Sequence, residues 1–201
     1  MDRREAIKRI NLIKGHDLRR MAYKFGVTVF IGNKKNKGWA GHVIERYLGL
    51  PPGTGQRPNF GSWELKVISL KRLRSGVLTI KETMAITMIN PVDVASKPFE
   101  DSHLKAKMDR ILMVARIWEN QQETRSILHG IYDFDLDDPE ILSQVKADYD
   151  LVRNTIIKRG FSALTGKMGV YIQPRTKGPG HGSTSRAFYA RTGFLKKIIG
   201  L

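Results

Sequence analysis

Apolar residues recur at roughly helical spacing over residues 3–14, where Ala6, Ile7, Ile10, Leu12 and Ile13 stand among basic side chains. Asp17 is placed to cap a second helix, with Leu18, Met21, Ala22 and Phe25 inward and Gly26 at its end. Residues 27–37 read as a loop ending in Lys34-Lys35-Asn36-Lys37, and residues 38–48 suit a third helix with Trp39, Val43, Ile44 and Leu48 inward. The run Gly49-Leu50-Pro51-Pro52-Gly53-Thr54-Gly55 then signals a loop. Beyond it the period changes: residues 63–68, 77–80 and 84–89 predict strands, 101–109 a short helix and 111–115 a buried strand. An acidic loop is expected next. Asp138 and Pro139 then supply the cap and first position of a helix reaching to about Arg159. Residues 170–172 and 187–189 predict strands either side of a glycine-rich loop. The fold class expected is α+β: N-terminal helices, a mixed sheet and one long helix against it.

Charge narrows the partner. Lys and Arg number 35 against 19 Asp and Glu among 201 residues, a net charge of +16. A surplus of that size points to a polyanion, nucleic acid first. No long apolar run or basic amphipathic tail favours a membrane. The absence of cysteine excludes disulfides, thiolate nucleophiles and cysteine-based zinc sites, and fits a reducing cytoplasm. The charged start Met1-Asp2-Arg3-Arg4-Glu5 has no signal-peptide character. His42, His103 and His129 lack metal-ligand spacing. Asp133, Asp135 and Asp137 begin like a calcium loop, but Asp138 and Gln144 stand where glycine and glutamate are needed, so an acidic surface turn is expected.

The sharpest local feature is Pro58-Asn59-Phe60-Gly61-Ser62-Trp63-Glu64-Leu65-Lys66. On a strand, Glu64 and Lys66 share one face. A carboxylate can hold a divalent cation against a phosphate, and a neighbouring lysine can orient or deprotonate the attacking water. Taken alone, Glu-x-Lys fits any solvated strand face.

The stretch Asn36-Lys37-Gly38-Trp39-Ala40-Gly41-His42-Val43-Ile44-Glu45-Arg46-Tyr47-Leu48-Gly49 resembles the active-site helix of the MutH-like PD-(D/E)xK endonucleases. That family takes in the mismatch-repair nickase MutH and type II restriction endonucleases of the GATC-cutting and MvaI/BcnI type. The likeness extends through the two preceding helices and Glu64-Leu65-Lys66, returns at Ser102-His103, and returns again at Arg186-Ala187-Phe188-Tyr189-Ala190-Arg191. It implies a restriction-endonuclease-like mixed sheet flanked by helices, with two lobes around a DNA-binding cleft. A single domain, 1–201, would divide at about 1–115 (catalytic lobe) and 116–201 (recognition lobe). The resemblance implies Glu64 as metal-binding carboxylate, Lys66 as catalytic lysine and Glu45 as the helix glutamate supporting the metal. It implies Lys107 as a further basic residue near the scissile phosphate, with Lys105 and Arg110 as neighbours in the alignment. The family's first metal ligand is an aspartate, and Asn59 stands in its place. An amide oxygen carries no formal charge and Mg2+ prefers anionic oxygens, so weak metal binding and slow cutting are expected of this chain.

Candidate phosphate contacts are Lys34, Lys35 and Lys37, then Lys71, Arg72 and Arg74, then Arg175, Lys177, His181, Arg186 and Arg191. Arginines flanking the glycine-rich segment can reach guanine bidentately, and the resemblance makes Tyr189 the candidate base reader. The function expected is a type II restriction endonuclease acting with Mg2+ on double-stranded DNA, as a monomer or weak homodimer. The alternatives are a methyl-directed nicking endonuclease, which would answer to a mismatch-repair ATPase, and a non-catalytic regulator using residues 6–31 as a helix-turn-helix.

Overall fold

The computed structural model describes residues 1–49, 61–178 and 184–201. The chain opens with α1 (Arg3–Leu12) and α2 (Leu18–Lys24). Asp17 caps α2 as expected, its side chain accepting the Arg19 N–H. The loop expected over 27–37 is instead a small hairpin, β1 (Phe30–Ile31) and β2 (Lys34–Lys35). Gly32, at φ 56°, begins the two-residue Gly-Asn turn that pairs them. α3 (Trp39–Tyr47) follows and buries Trp39, Ala40, Val43, Ile44 and Glu45.

Next come β3 (Glu64–Arg72), β4 (Leu78–Ile80), β5 (Met84–Met88), α4 (Pro91–Ser96), α5 (His103–Met108), β6 (Arg110–Ile117), β7 (Leu128–Asp135), α6 (Pro139–Arg159), β8 (Ile172–Thr176), β9 (Arg186–Ala190) and α7 (Thr192–Ile199). Four of these differ from the expectation. α4 was not anticipated, although Asn90 caps it by accepting from Val92 and Asp93 N–H and Pro91 starts it. β7 takes the place of the acidic loop. Asp133 and Asp135 are not a surface turn but alternate positions of a strand, either side of buried Phe134, and both bind Arg3. β8 begins two residues later than expected, and α7 extends beyond the last strand expected.

The strands form a four-stranded sheet, β4-β3-β6-β7, and a three-stranded sheet, β5-β9-β8. β3 and β6 are parallel, and the other pairs in these sheets are antiparallel. β5 pairs with β9 in the smaller sheet and β7 pairs with β6 in the larger one. The protein is α+β with a mixed sheet.

Two apolar cores lie on the two faces of the larger sheet. Leu65, Leu112 and Val114 pack with α1, α2 and α3. Ile68, Leu70, Ile111 and Met113 pack with β5, α5 and α6. Strand alternation puts Glu64 and Lys66 on the second face, with Ile68 and Leu70. The helix pair over residues 6–31 spends its apolar side on the first core: Ala6, Ile10, Leu18, Met21 and Ala22 are all buried there. Among the described residues no helix is long and apolar enough to cross a membrane.

Candidate active site

Glu64 opens β3 beside Ile111 of parallel β6 and is only 1% exposed. A lone buried carboxylate would be costly, and two cations meet it. Lys66 Nζ lies 2.8 Å and Lys107 Nζ 3.2 Å from Glu64 Oε1. Lys107 arrives from α5, which Ser102 caps by accepting the Lys105 N–H. Leu104 and Met108 dock α5 into the core, and Lys107 between them is buried with its ammonium at Glu64. Lys105 instead pairs with Asp109, and Arg110 is exposed, so of the three neighbouring cations Lys107 is the one that reaches the site.

Lys66 also ties the two sheets together. Its Nζ donates to the Ile86 carbonyl at 3.4 Å. Ile86 is the extra residue of a bulge in β5, where the pairing with β9 shifts between Ala85 and Thr87. A bulge takes a residue out of the ladder, and here its carbonyl meets the lysine. Burial lowers the Lys66 pKa below the ordinary lysine value. Glu64 opposes that fall, and Lys107 and Lys177 add to it. A lowered pKa makes the lysine easier to deprotonate than an exposed one.

Glu45 lies on α3, which packs against β3, and is 7% exposed. Trp39 at the start of α3 lies beneath Arg116 of β6, guanidinium to ring 5.1 Å. Arg116 grips Glu123 through two bonds, of 2.7 and 2.9 Å, and donates to Ser126. Lys35 completes the cluster at 2.9 Å from Glu123 Oε1. The structure therefore joins Lys35, expected at a phosphate, to a wholly buried carboxylate that steadies the approach to α3. Nothing in the sequence between β6 and β7 marks Glu123, because its importance comes from the backbone φ of 49° and the cations around it.

The remaining expected contacts are spread out. Lys34 and Lys37 are exposed by the hairpin, and Arg72 bonds the Gly76 carbonyl in the β3–β4 turn. Arg175 stands over the Tyr189 ring at 5.7 Å and bonds Thr83. Burial raises the Tyr189 pKa above the ordinary tyrosine value, against the pull of Arg175. Arg186 lies over Phe161. Arg191 donates to the carbonyls of Gly166 and Met168. Asn59 and His181 lie outside the described residues.

A family model described as DNA mismatch repair enzyme MutH matches residues 48–144, a span that includes Glu64, Lys66 and Lys107. The DNA mismatch repair protein MutH of Vibrio campbellii is 25% identical over 97% of this chain and 92% of its own length. That of Shewanella sp. is 26% identical over 97% and 93%. The chain is similar to the MutH-like PD-(D/E)xK endonucleases over nearly its whole length. A restriction endonuclease MvaI–cognate DNA complex aligns over 98% of this chain and 97% of that one, with 12% identity and a TM-score of 0.44.

PD-(D/E)xK endonucleases generally use divalent metal ions. Among the described residues no group of three or more His, Cys, Asp or Glu is gathered for one. Glu64 and Glu45 each carry hard carboxylate oxygens of the kind Mg2+ takes. Lys66 and Lys107 currently occupy the charge on Glu64 that a cation would share.

Proposed function

We propose that this chain is a Mg2+-dependent endonuclease that nicks one strand of double-stranded DNA at a specific site, as a methyl-directed enzyme of mismatch repair. The observation that carries it is the buried Glu64 carboxylate held by both Lys66 and Lys107 at the junction of the two sheets. Relatives spanning nearly the whole chain are mismatch-repair proteins, which favours nicking over the type II restriction reading.

Glu64 and Glu45 would hold the metal, with Asn59 standing in the sequence where the family has its aspartate ligand. When bound, Mg2+ supplies positive charge against the phosphate and lowers the pKa of coordinated water. Lys66, beside Glu64 and with its pKa lowered by burial, would orient an attacking water and take up its proton. Lys107 stabilises the charge that grows on the phosphate oxygens. Tyr189, with Arg175 over its ring, reads the base, and Lys34, Lys37, Arg72, Lys177 and Arg186 hold the backbone. Asn59 contributes no charge to the metal site and slows cutting. The chain acts as a monomer with one site, and a mismatch-repair ATPase is the partner this reading implies.

The test is supercoiled plasmid DNA with Mg2+, cut by the chain as it stands, by Asn59→Asp and by Asn59→Asp with Lys66→Ala. Open circles from Asn59→Asp, with at least about a hundredfold loss on adding Lys66→Ala, are expected. Linear products at discrete sites would turn the assignment to a restriction enzyme. Duplex binding with no cutting by any version would leave a non-catalytic DNA-binding protein.

A further inference from the structure

A second basic surface lies away from Glu64. It is an open groove of about 1100 Å³ between residues 15–23 and 122–127. Its two walls are bonded to each other through backbone: Leu18 N–H to Ser126 O at 2.8 Å, Leu128 N–H to His16 O at 2.9 Å, and Gly15 N–H to Leu128 O at 2.9 Å. Asp17 bridges to Ile127, and its Oδ1 accepts the N–H groups of Ser126 and Arg19. The one carboxylate lining the groove is thus engaged by backbone. From beneath, buried Glu123 pins the second wall through Arg116 and Lys35.

On this frame stand Arg19, Arg20 and Arg125, with His16 and Tyr23 beside them. Among the described residues no ion pair involves Arg19 or Arg20, and Arg125 has only a 3.9 Å contact with Glu119. Tyr23 is 90% exposed. Guanidinium groups on a rigid frame suit phosphate oxygens, which they bind bidentately. The lining has few apolar anchors, unlike the core of a protein–protein interface. The groove adjoins the far end of β6 from Glu64. From Ile111, paired with Glu64, to Ile117 the strand rises about 20 Å, which corresponds to about six base pairs of duplex.

We propose that this groove binds the phosphate backbone of double-stranded nucleic acid outside the cleavage cleft, through Arg19, Arg20 and Arg125. It extends the DNA-binding reading to a second surface and gives the exposed side of the α2 segment a task that its buried apolar face does not perform. The phosphates are those of the flank of the duplex being cut.

The experiment measures binding of the full chain, without Mg2+, to labelled duplexes of about 8 and about 40 base pairs over a range of salt. The triple variant Arg19→Ala, Arg20→Ala, Arg125→Ala is expected to lose about tenfold or more in affinity for the long duplex. The slope of log affinity against log salt falls by about 2 to 3, roughly one per phosphate contact. Affinity for the short duplex is retained. The matching Arg→Lys triple keeps the slope; a fall there too overturns the charge assignment. Unchanged long-duplex affinity overturns the proposal and leaves the groove to an acidic protein. Equal loss on both duplexes overturns it as well, since the arginines would then serve the cleft or the fold. With the long duplex a single equivalent bound per chain is expected, and a second equivalent overturns the flank assignment. Lys66→Ala separates this from the cutting reading: it removes cutting and keeps the long-duplex advantage.

Discussion

Lys107 Nζ lies 3.2 Å from the Glu64 carboxylate, although 43 residues separate the two in the chain. One helix turn off the strand is enough to bring a second ammonium to the carboxylate that Lys66 already holds. Lys107→Ala in the Asn59→Asp protein is expected to slow nicking by about 10²–10³-fold, the usual cost of removing one charge-stabilising donor. Duplex affinity should change by less than about threefold, since a single phosphate contact is lost at most. Lys105→Ala, whose ammonium is occupied by Asp109, serves as the control and should nick normally. Equal nicking by the Lys107→Ala protein would reduce Lys107 to a counter-ion.

Glu123 is the buried charge on which the approach to α3 depends. Burial pushes its carboxyl pKa up, but hydrogen bonds from Arg116 and Lys35 outweigh this and hold it below the ordinary carboxylate range. Glu123→Gln leaves Arg116 buried without its partner and is expected to destabilise by about 3 kcal/mol at pH 7. A depressed pKa in the folded state gives stability that is fully present above the unfolded value of about 4.3 and is lost as pH falls through the folded value. Urea unfolding at neutral pH and near pH 3 therefore checks the sign: the gap between wild type and variant should close in acid. A gap that persists would assign the effect to shape rather than charge.

Asp148 plays the corresponding part for the smaller sheet. Its carboxylate accepts the three successive N–H groups of Val170, Tyr171 and Ile172 at 2.8, 2.7 and 2.7 Å, and the Gln144 amide at 2.9 Å. Gly169, at φ 76°, makes the turn possible, because a Cβ there would lie 1.9 Å from the Ile172 carbonyl oxygen. Asp148→Ala strands several buried donors, and a loss of about 4 kcal/mol is expected. Gly169→Ala should be comparably damaging. Chemical denaturation measures both, and a loss below about 1 kcal/mol for Asp148→Ala would mean water replaces the carboxylate.

Tyr189 and Arg175 share the face of the smaller sheet proposed to read DNA. Tyr189→Ala is expected to lower discrimination between the preferred site and single-base variants by about tenfold, the scale of one base contact. Relative kcat/KM on matched and altered sites is the measurement. Unaltered discrimination with reduced stability would make Tyr189 a packing residue.

Much of this was legible in the residues themselves. The alternation through 64–68 put Glu64 and Lys66 on one face, and the caps Asp17 and Asp138 located two helices, because these signals act over a few residues. Gly38-Trp39 with Glu45, followed by Glu64-x-Lys66, carried the family likeness. β7 was missed because its acidic residues look like a turn until Arg3, more than a hundred positions earlier, is seen to neutralise them. α4 and α7 were missed as short elements whose helical period has too few turns to stand out.

What the sequence by itself determined was the chemistry available: the carboxylate, the lysines, the excess of positive charge and the absence of cysteine. Tertiary structure decided which of these meet. It chose Lys107 over Lys105 and Arg110, brought the Ile86 carbonyl to Lys66, and withdrew Lys35 to Glu123. The reason is physical. Local periodicity fixes only the direction of a side chain, whereas the pairing of β3 with β6 and of β5 with β9 joins residues far apart in sequence, and burial makes each such meeting of charges consequential.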